Sequence, residues 1–159
     1  MPNLEILTNP YTEHARAIID LLDSYALDPM GGGEALPSLT HQTLVNQLQS
    51  RDWVVTFLAL LDGQPAGLLI AMEGFSTFQA RPLMNIHDVA VVPEQRGRGI
   101  GKALFAAVEA EAIRRGCCKL TLEVLSGNER AKRVYTSLGF KPYALDPEAG
   151  TAQFWEKKL

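Results

Sequence analysis

The chain of 159 residues has few of the features that mark secreted, membrane or nucleic-acid-binding proteins. Its two cysteines, Cys117 and Cys118, are adjacent, and adjacent cysteines have neither a pairing partner nor metal-ligand spacing. No apolar run reaches the roughly 18 residues of a membrane span. With 15 basic against 18 acidic residues, no excess of positive charge is available for nucleic-acid phosphates. We therefore expect reduced thiols, no metal, no membrane segment and no nucleic acid.

The first twenty residues also lack the continuous apolar core of a signal peptide, because Glu5, Glu13 and Asp20 interrupt them. This predicts a cytoplasmic protein. Hydrophobic residues make up 47% and charged residues 21% of the chain, an ordinary globular mixture. With this length, the composition predicts one domain over residues 1–159. The net charge of −3 weakly favours a cationic small substrate.

Hydrophobic periodicity and turn signals predict an α/β chain in the order β-α-α-β-β-β-α-β-α-β-β. The predicted strands cover residues 4–7, 53–61, 66–75, 83–92, 119–125, 140–145 and 151–157. The predicted helices cover residues 12–26, 40–49, 98 or 99 to 115, and 128–138. Hairpins combined with one strand–helix–strand crossover predict a mixed, mostly antiparallel sheet of about seven strands flanked by four helices.

A glycine-rich turn at residues 95–101 follows a predicted strand and opens a predicted helix. Such a turn exposes backbone N–H groups, and the start of the helix adds partial positive charge. Arg96 and Arg98 can add contacts to phosphate oxygens. The segment therefore predicts an anion site, although three glycines can also simply form a tight turn.

Two common glycine motifs do not match this turn. A P-loop would need glycine at position 96 and serine or threonine at position 103, where Arg96 and Ala103 stand. A dinucleotide fingerprint would need its third glycine at position 102 or 104, where Lys102 and Leu104 stand. The expected ligand is neither a P-loop nucleotide nor a nicotinamide dinucleotide.

Two segments resemble motifs of the GNAT N-acetyltransferase superfamily. Residues 96–101 resemble its Arg/Gln-x-x-Gly-x-Gly/Ala motif, and residues 128–140 resemble its Asn-x-x-Ala-x-x-x-Tyr-x-x-x-Gly-Phe motif. The predicted element order resembles the GNAT fold over nearly the whole chain. The early helices and residues 28–40 match least, and in this family they vary with the acceptor substrate.

The resemblance implies acetyl-CoA as cosubstrate. The amides of residues 96–101 would hold its pyrophosphate, and pantetheine would lie where the strands at 83–92 and 119–125 separate. Backbone groups of Val89 and Val91 would then contact pantetheine and the acetyl carbonyl. Asn128 would touch the cofactor or, alternatively, cap a helix. The implied cofactor-binding residues are Val89, Ala90, Val91, Arg96, Gly97, Arg98, Gly99, Ile100, Gly101, Lys102 and Asn128.

Within the same resemblance, Tyr135 is the expected general acid, since a phenol can donate a proton to a departing thiolate. Its alternative role is structural, with the ring packed in the core and the hydroxyl in a structural hydrogen bond. His87 is the expected base, because an imidazole exchanges protons near neutral pH; Glu73 and bulk water are the competitors. In a regular strand Asp88 would point to the face opposite His87, and a bulge would change that.

The acceptor pocket has no motif that we can read. Candidate substrate-binding residues are Asp28, Glu34, Phe75, Phe78, Arg81 and Asp88, of which Phe75, Phe78 and Arg81 are expected in a loop between two strands. Acidic groups suit an ammonium and Arg81 suits a carboxylate, although loop residues are often simply solvated. The expected acceptor is a small primary amine that is amino-acid-like, a polyamine or a drug.

Two other functions remain open at the level of sequence. The chain could acetylate a protein or peptide, which needs an open groove, or it could sense CoA without turnover. Near the end of the chain, Phe154 and Trp155 could pack on the core or meet a second subunit. Because members of the resembled family often dimerise, a homodimer is a further expectation.

Overall fold

The computed structural model describes residues 1–159 as two compact units, Met1–Leu122 and Glu123–Leu159. The first contains strands β1 (Leu4–Thr8), β2 (Val54–Leu61), β3 (Gln64–Ser76), β4 (Arg81–Val91) and β5 (Leu120–Leu122), and helices α1 (Ala15–Leu27), α2 (Ser38–Gln49) and α3 (Ile100–Arg114). The second contains helix α4 (Glu129–Ser137). The expectation of one domain over residues 1–159 stays a prediction.

The five strands form one sheet in the order β1-β2-β3-β4-β5. All neighbours are antiparallel except β4 and β5, which are parallel because α3 connects them as a crossover. The predicted mixed, mostly antiparallel sheet with four helices is confirmed. None of the helices has the length and apolar character needed to cross a membrane.

The sheet has five strands instead of about seven, because the last two predicted strands form only one isolated bridge, Ala144 to Thr151. Pro142 and Pro147 interrupt this region and remove ladder donors. Its large apolar side chains stay exposed, Phe154 at 79% and Trp155 at 83%. Without burial, a two-stranded hairpin gains too little free energy to persist.

Strand β2, which lies between β1 and β3, is buried along its whole length, so both sheet faces are covered there. On one face α1 and α2 contribute Ile18, Leu21 and Leu48 to a core that includes Leu58 and Leu68. On the other face α3 buries residues of its own, namely Ile100, Leu104, Phe105, Val108 and Ala112. Burial of each large apolar side chain stabilises the packing of the helices on the sheet by about 1.5–3 kcal/mol. This packing places the first turn of α3 beside the end of β4.

Candidate active site

The glycine turn between β4 and α3 has a backbone that only glycine adopts readily. After the short 3-10 turn Pro93–Gln95, Gly97 and Gly99 have φ angles of +80° and +81°. An added Cβ at either residue would meet no atom within 4 Å, so steric space is not the constraint. The positive φ angles are the reason for glycine at both positions.

Backbone N–H groups of this turn are available to a ligand. From Gly97 to Lys102 no N–H donates to a backbone carbonyl, and the first that does is that of Ala103, to Gly99 O at 3.0 Å. These donors lie at the N-terminus of a helix of 15 residues, where the helix dipole favours an anion. The turn has the geometry of an anion site.

Gly67 on β3 was not singled out by sequence, yet it positions the start of α3. An added Cβ would lie 2.9 Å from Ile100 Cγ2 and 3.1 Å from Leu104 Cδ1. The absence of a side chain therefore lets α3 lie close against the sheet. A glycine inside an otherwise apolar strand is the sequence signal that would have found it.

The pairing between β4 and β5 ends early and leaves part of β4 open. It covers only Met84 to Ile86 on β4, against Leu120 to Leu122 on β5. The predicted strand at 119–125 is thus shorter in the structure. Beyond Ile86, residues 87–91 of β4 have no strand partner on that edge. β5 ends at Leu122, the last residue that pairs with β4, and the pantetheine cleft that the resemblance implies stays a prediction.

Alternation along β4 decides which backbone groups face the open edge. The Val92 N–H donates to Ala66 O on β3 at 2.9 Å. Because N–H and C=O groups alternate in direction along a strand, those of Val91 and Val89 point away from β3, and those of Ala90 point towards it. Val89 and Val91 therefore offer backbone groups to a ligand on the open edge, and Ala90 does not.

His87 is the extra residue of a β-bulge. Asp88 pairs with Ile70 and Ile86 pairs with Ala71, so nothing on β3 stands opposite His87. Bulges interrupt strand alternation and redirect side chains, often beside functional sites. The regular strand with His87 and Asp88 on opposite faces is therefore not what forms. The His87 side chain is exposed, where the open edge of β4 begins.

Asp88 is a half-buried carboxyl close to His87. Burial raises the pKa of Asp88, and a Coulombic interaction with His87 partly offsets that rise. Tyr25, from the α1 helix that packs against β4, lies nearby. Burial raises the pKa of Tyr25, and the charges of Asp88 and Asp28 raise it further. Sequence reasoning missed Tyr25, because no local pattern shows which residue of α1 faces β4.

Glu73, the competing base, is engaged in an ion pair. Arg115 Nη1 lies 2.9 Å from Glu73 Oε2, and the two side chains are only 16% and 33% exposed. Arg115 also binds Glu111, with Nε 2.7 Å from Oε1. A carboxylate already committed to an arginine is poorly placed to accept a proton from an amine. Glu73 on β3 pairs with Met84 on β4, and Met84 lies three residues before the bulged residue His87.

The predicted acceptor residues do not form one group. Arg81 begins β4 and Phe75 lies on β3, so neither is in the loop where they were expected. The Arg81 guanidinium donates to Gly116 O at 3.0 Å. Arg81 stands six residues before His87 on the strand, about 20 Å away at ~3.3 Å per residue. Phe78 and Glu34 are exposed.

Comparison with known proteins adds to this geometry. Residues 18–140 match the Acetyltransferase (GNAT) family. The chain belongs to this family. It is 37% identical over 82 residues to the thialysine N-epsilon-acetyltransferase of Bos taurus, covering 48% of each protein. It is 25% identical over 108 residues to aminoglycoside N(6')-acetyltransferase type 1 of Salmonella typhimurium, and the match covers 66% of this chain and 74% of that protein.

This GNAT chain spans about half the length of the first of these relatives. Among solved structures, its fold is similar to that of the aminoglycoside N-acetyltransferase AAC(6')-Iy in complex with the bisubstrate analogue CoA-S-monomethyl-acetylneamine. The TM-score is 0.80 at 21% identity, with 99% of both chains covered. At this identity the likeness establishes the GNAT fold alone.

The second GNAT motif lies in the unit Glu123–Leu159. Asn128 caps α4, since its Oδ1 accepts from the Ala131 N–H at 3.1 Å, so the capping role is present. A cofactor contact of Asn128 stays a prediction. The Tyr135 ring packs edge-on against Phe140 with centroids 6.1 Å apart, so a packing role is present as well. Acid catalysis by Tyr135 also stays a prediction.

Proposed function

We propose that this GNAT chain transfers the acetyl group of acetyl-CoA to the primary amine of a small molecule that carries a second cationic group. The observation that supports this most strongly is the row of unpaired amides from Gly97 to Lys102 beside the open edge of β4. That edge begins at the bulged residue His87. An anion-binding turn next to an exposed imidazole suits a cofactor whose pyrophosphate binds at the turn and whose thioester lies near the imidazole.

The donor would be held mainly by backbone groups. Six N–H groups from Gly97 to Lys102, with Arg96, Arg98 and Lys102 nearby, match the charge and the oxygen atoms of a pyrophosphate. The outward backbone groups of Val89 and Val91 would receive pantetheine. When bound, acetyl-CoA supplies an acetyl thioester. An N–H of β4 would stabilise the negative charge that develops on the acetyl oxygen.

His87 would accept the proton that the acceptor ammonium must lose before it can attack. We favour His87 over Glu73 because Glu73 is held by Arg115 at 2.9 Å, whereas the His87 side chain is exposed. Tyr135 would return a proton to the CoA sulfur as it departs. Acid and base catalysis each contribute typically 10²–10⁴-fold to a rate.

The second cationic group is inferred from Asp88. Its half-buried carboxyl accepts no hydrogen bond from a protein donor and forms no ion pair with lysine or arginine. A cation on the acceptor could therefore become the partner of this carboxylate. Burial of a charge without a partner is costly, and a bound ammonium would offset that cost. Two of the relatives are named for amine substrates, thialysine and aminoglycosides.

The test is an acceptor screen that measures CoA thiol release. Each diamine is paired with an amino alcohol of the same length, so that only the second charge differs. The wild type should prefer the diamine by about 10–100-fold, as charged hydrogen bonds contribute ~1.5–3 kcal/mol. Asp88→Asn should lose most of this preference. Tight acetyl-CoA binding without turnover on any amine would indicate a sensor, and a preference for peptides would indicate a protein acetyltransferase.

A further inference from the structure

One arginine of the donor turn also touches the loop after α1. Arg96 Nε donates to Val91 O at 3.2 Å, and Arg96 Nη2 lies 4.0 Å from Asp28 Oδ2. A guanidinium carries five N–H donors, and the bond to Val91 uses one of them. The remaining donors are sufficient for a phosphate on one side and the Asp28 carboxylate on the other.

Asp28 also holds the shape of its own loop. Its Oδ1 accepts from the Met30 N–H at 2.9 Å, and its carbonyl accepts from the N–H groups of Gly31 at 2.8 Å and Gly33 at 3.1 Å. Gly31 lies against α1 so closely that an added Cβ would stand 2.0 Å from Tyr25 O. Asp28 therefore holds the N–H groups of Met30, Gly31 and Gly33.

The loop is bonded to α1 at Tyr25, because the Asp28 N–H donates to Tyr25 O at 3.0 Å. Burial raises the pKa of Tyr25, and the charges of Asp88 and Asp28 raise it further. Asp88 is the residue to which we assign the acceptor cation. The contacts thus form a chain from the donor turn through Arg96 and Asp28 to Tyr25, all within the unit Met1–Leu122.

We propose that Asp28 is a positioning residue, which links occupancy of the pyrophosphate turn to the order of the loop at residues 28–33. A phosphate on the turn restrains the Arg96 guanidinium, and the restrained guanidinium holds the Asp28 carboxylate and the loop that it caps. The inference rests on the proposed function, because it takes the CoA pyrophosphate as the ligand of the turn.

Hydrogen exchange of the loop amides, measured with and without CoA, tests this link. CoA should slow exchange of the amides of residues 28–33 in the wild type by roughly threefold. A change of this size is expected from the small stabilisation that a half-exposed ion pair provides. Asp28→Asn keeps an oxygen that can accept from Met30 but removes the charge that faces Arg96. This variant should still bind CoA, and its loop exchange should no longer respond to CoA.

Arg98→Gln is the matched control, because Arg98 belongs to the same turn but does not touch Asp28. It should weaken CoA binding, yet at saturating CoA its loop should slow as in the wild type. The link is overturned if CoA binds the wild type without slowing the loop, or if Asp28→Asn responds as the wild type does. Calorimetry measures directly whether the wild type binds CoA. Absence of binding would refute the proposed donor site as well as the link.

Discussion

Gly67 on β3 lies directly against Ile100, the first residue of α3, and a Cβ added to Gly67 would stand 2.9 Å from Ile100 Cγ2. We expect Gly67→Ala to displace the start of α3 and with it the donor turn. Overpacking of this kind costs about 1–3 kcal/mol of unfolding free energy. CoA affinity should also fall, because the N–H groups of the turn would move. Urea denaturation and calorimetry with CoA measure the two effects.

Gly74→Ala is the control for this substitution, since it alters the same strand. A Cβ there would meet only the Leu83 side chain, with Cδ1 at 3.3 Å, which can adjust. CoA affinity should stay at the wild-type value. Equal behaviour of the two variants would mean that the contact between Gly67 and Ile100 does not position the turn.

His87→Ala should lower turnover by roughly a hundredfold, as expected for loss of a general base. The acidic limb of the pH–rate profile should also disappear, because no imidazole remains to be protonated as the pH falls. Steady-state kinetics over a pH series with the best acceptor from the screen give both results. His14→Ala, at a histidine outside β4, is the control. Persistence of the limb would assign the base to Glu73 or to water.

Tyr135→Phe should lower turnover much more than CoA affinity. The substitution keeps the ring that packs on Phe140 and removes only the hydroxyl. Loss of a general acid predicts a decrease of about 10²-fold or more. Tyr143→Phe removes a hydroxyl from an exposed tyrosine of the same unit and should have no such effect. Unchanged turnover in Tyr135→Phe would assign that side chain to packing.

Glu111 on α3 should make stability depend on pH in the acid range. A hydrogen bond from Arg114 is the main cause that lowers its pKa from 4.5 to about 2, with Arg115 contributing and burial opposing. Because the folded-state pKa is the lower one, the stabilisation is complete above pH 4.5 and is lost as the pH falls towards 2.

The variant Glu111→Gln isolates this contribution. Its unfolding free energy at pH 7 should be about 1.5–3 kcal/mol below the wild type, the scale of a charged hydrogen bond. The difference should shrink as the pH falls from 4.5 towards 2. Urea titrations at several pH values measure it, with the exposed residue Glu109→Gln on the same helix as control. A difference that is constant with pH would contradict the assignment.

Local patterns in the sequence were sufficient for the elements and for the donor turn. The spacing of Gly97, Gly99 and Gly101 predicted an anion site, because the positive φ angles of Gly97 and Gly99 and the free amides at a helix start are local properties. The β4–α3–β5 crossover was equally readable from alternating periodicities. The absence of the final strand pair could not be predicted in this way, because the exposure of Phe154 and Trp155 depends on tertiary packing.

What the sequence by itself determined is therefore the GNAT architecture and the glycine turn that we propose as the anion site. Only the tertiary structure decided which side chains can act there. The bulge at His87 depends on the register between β3 and β4, and register is a non-local property. The ion pair of Glu73 with Arg115 and the approach of Asp28 to Arg96 join residues far apart in sequence, 42 and 68 positions respectively. Such contacts arise from packing, so no local pattern could predict them.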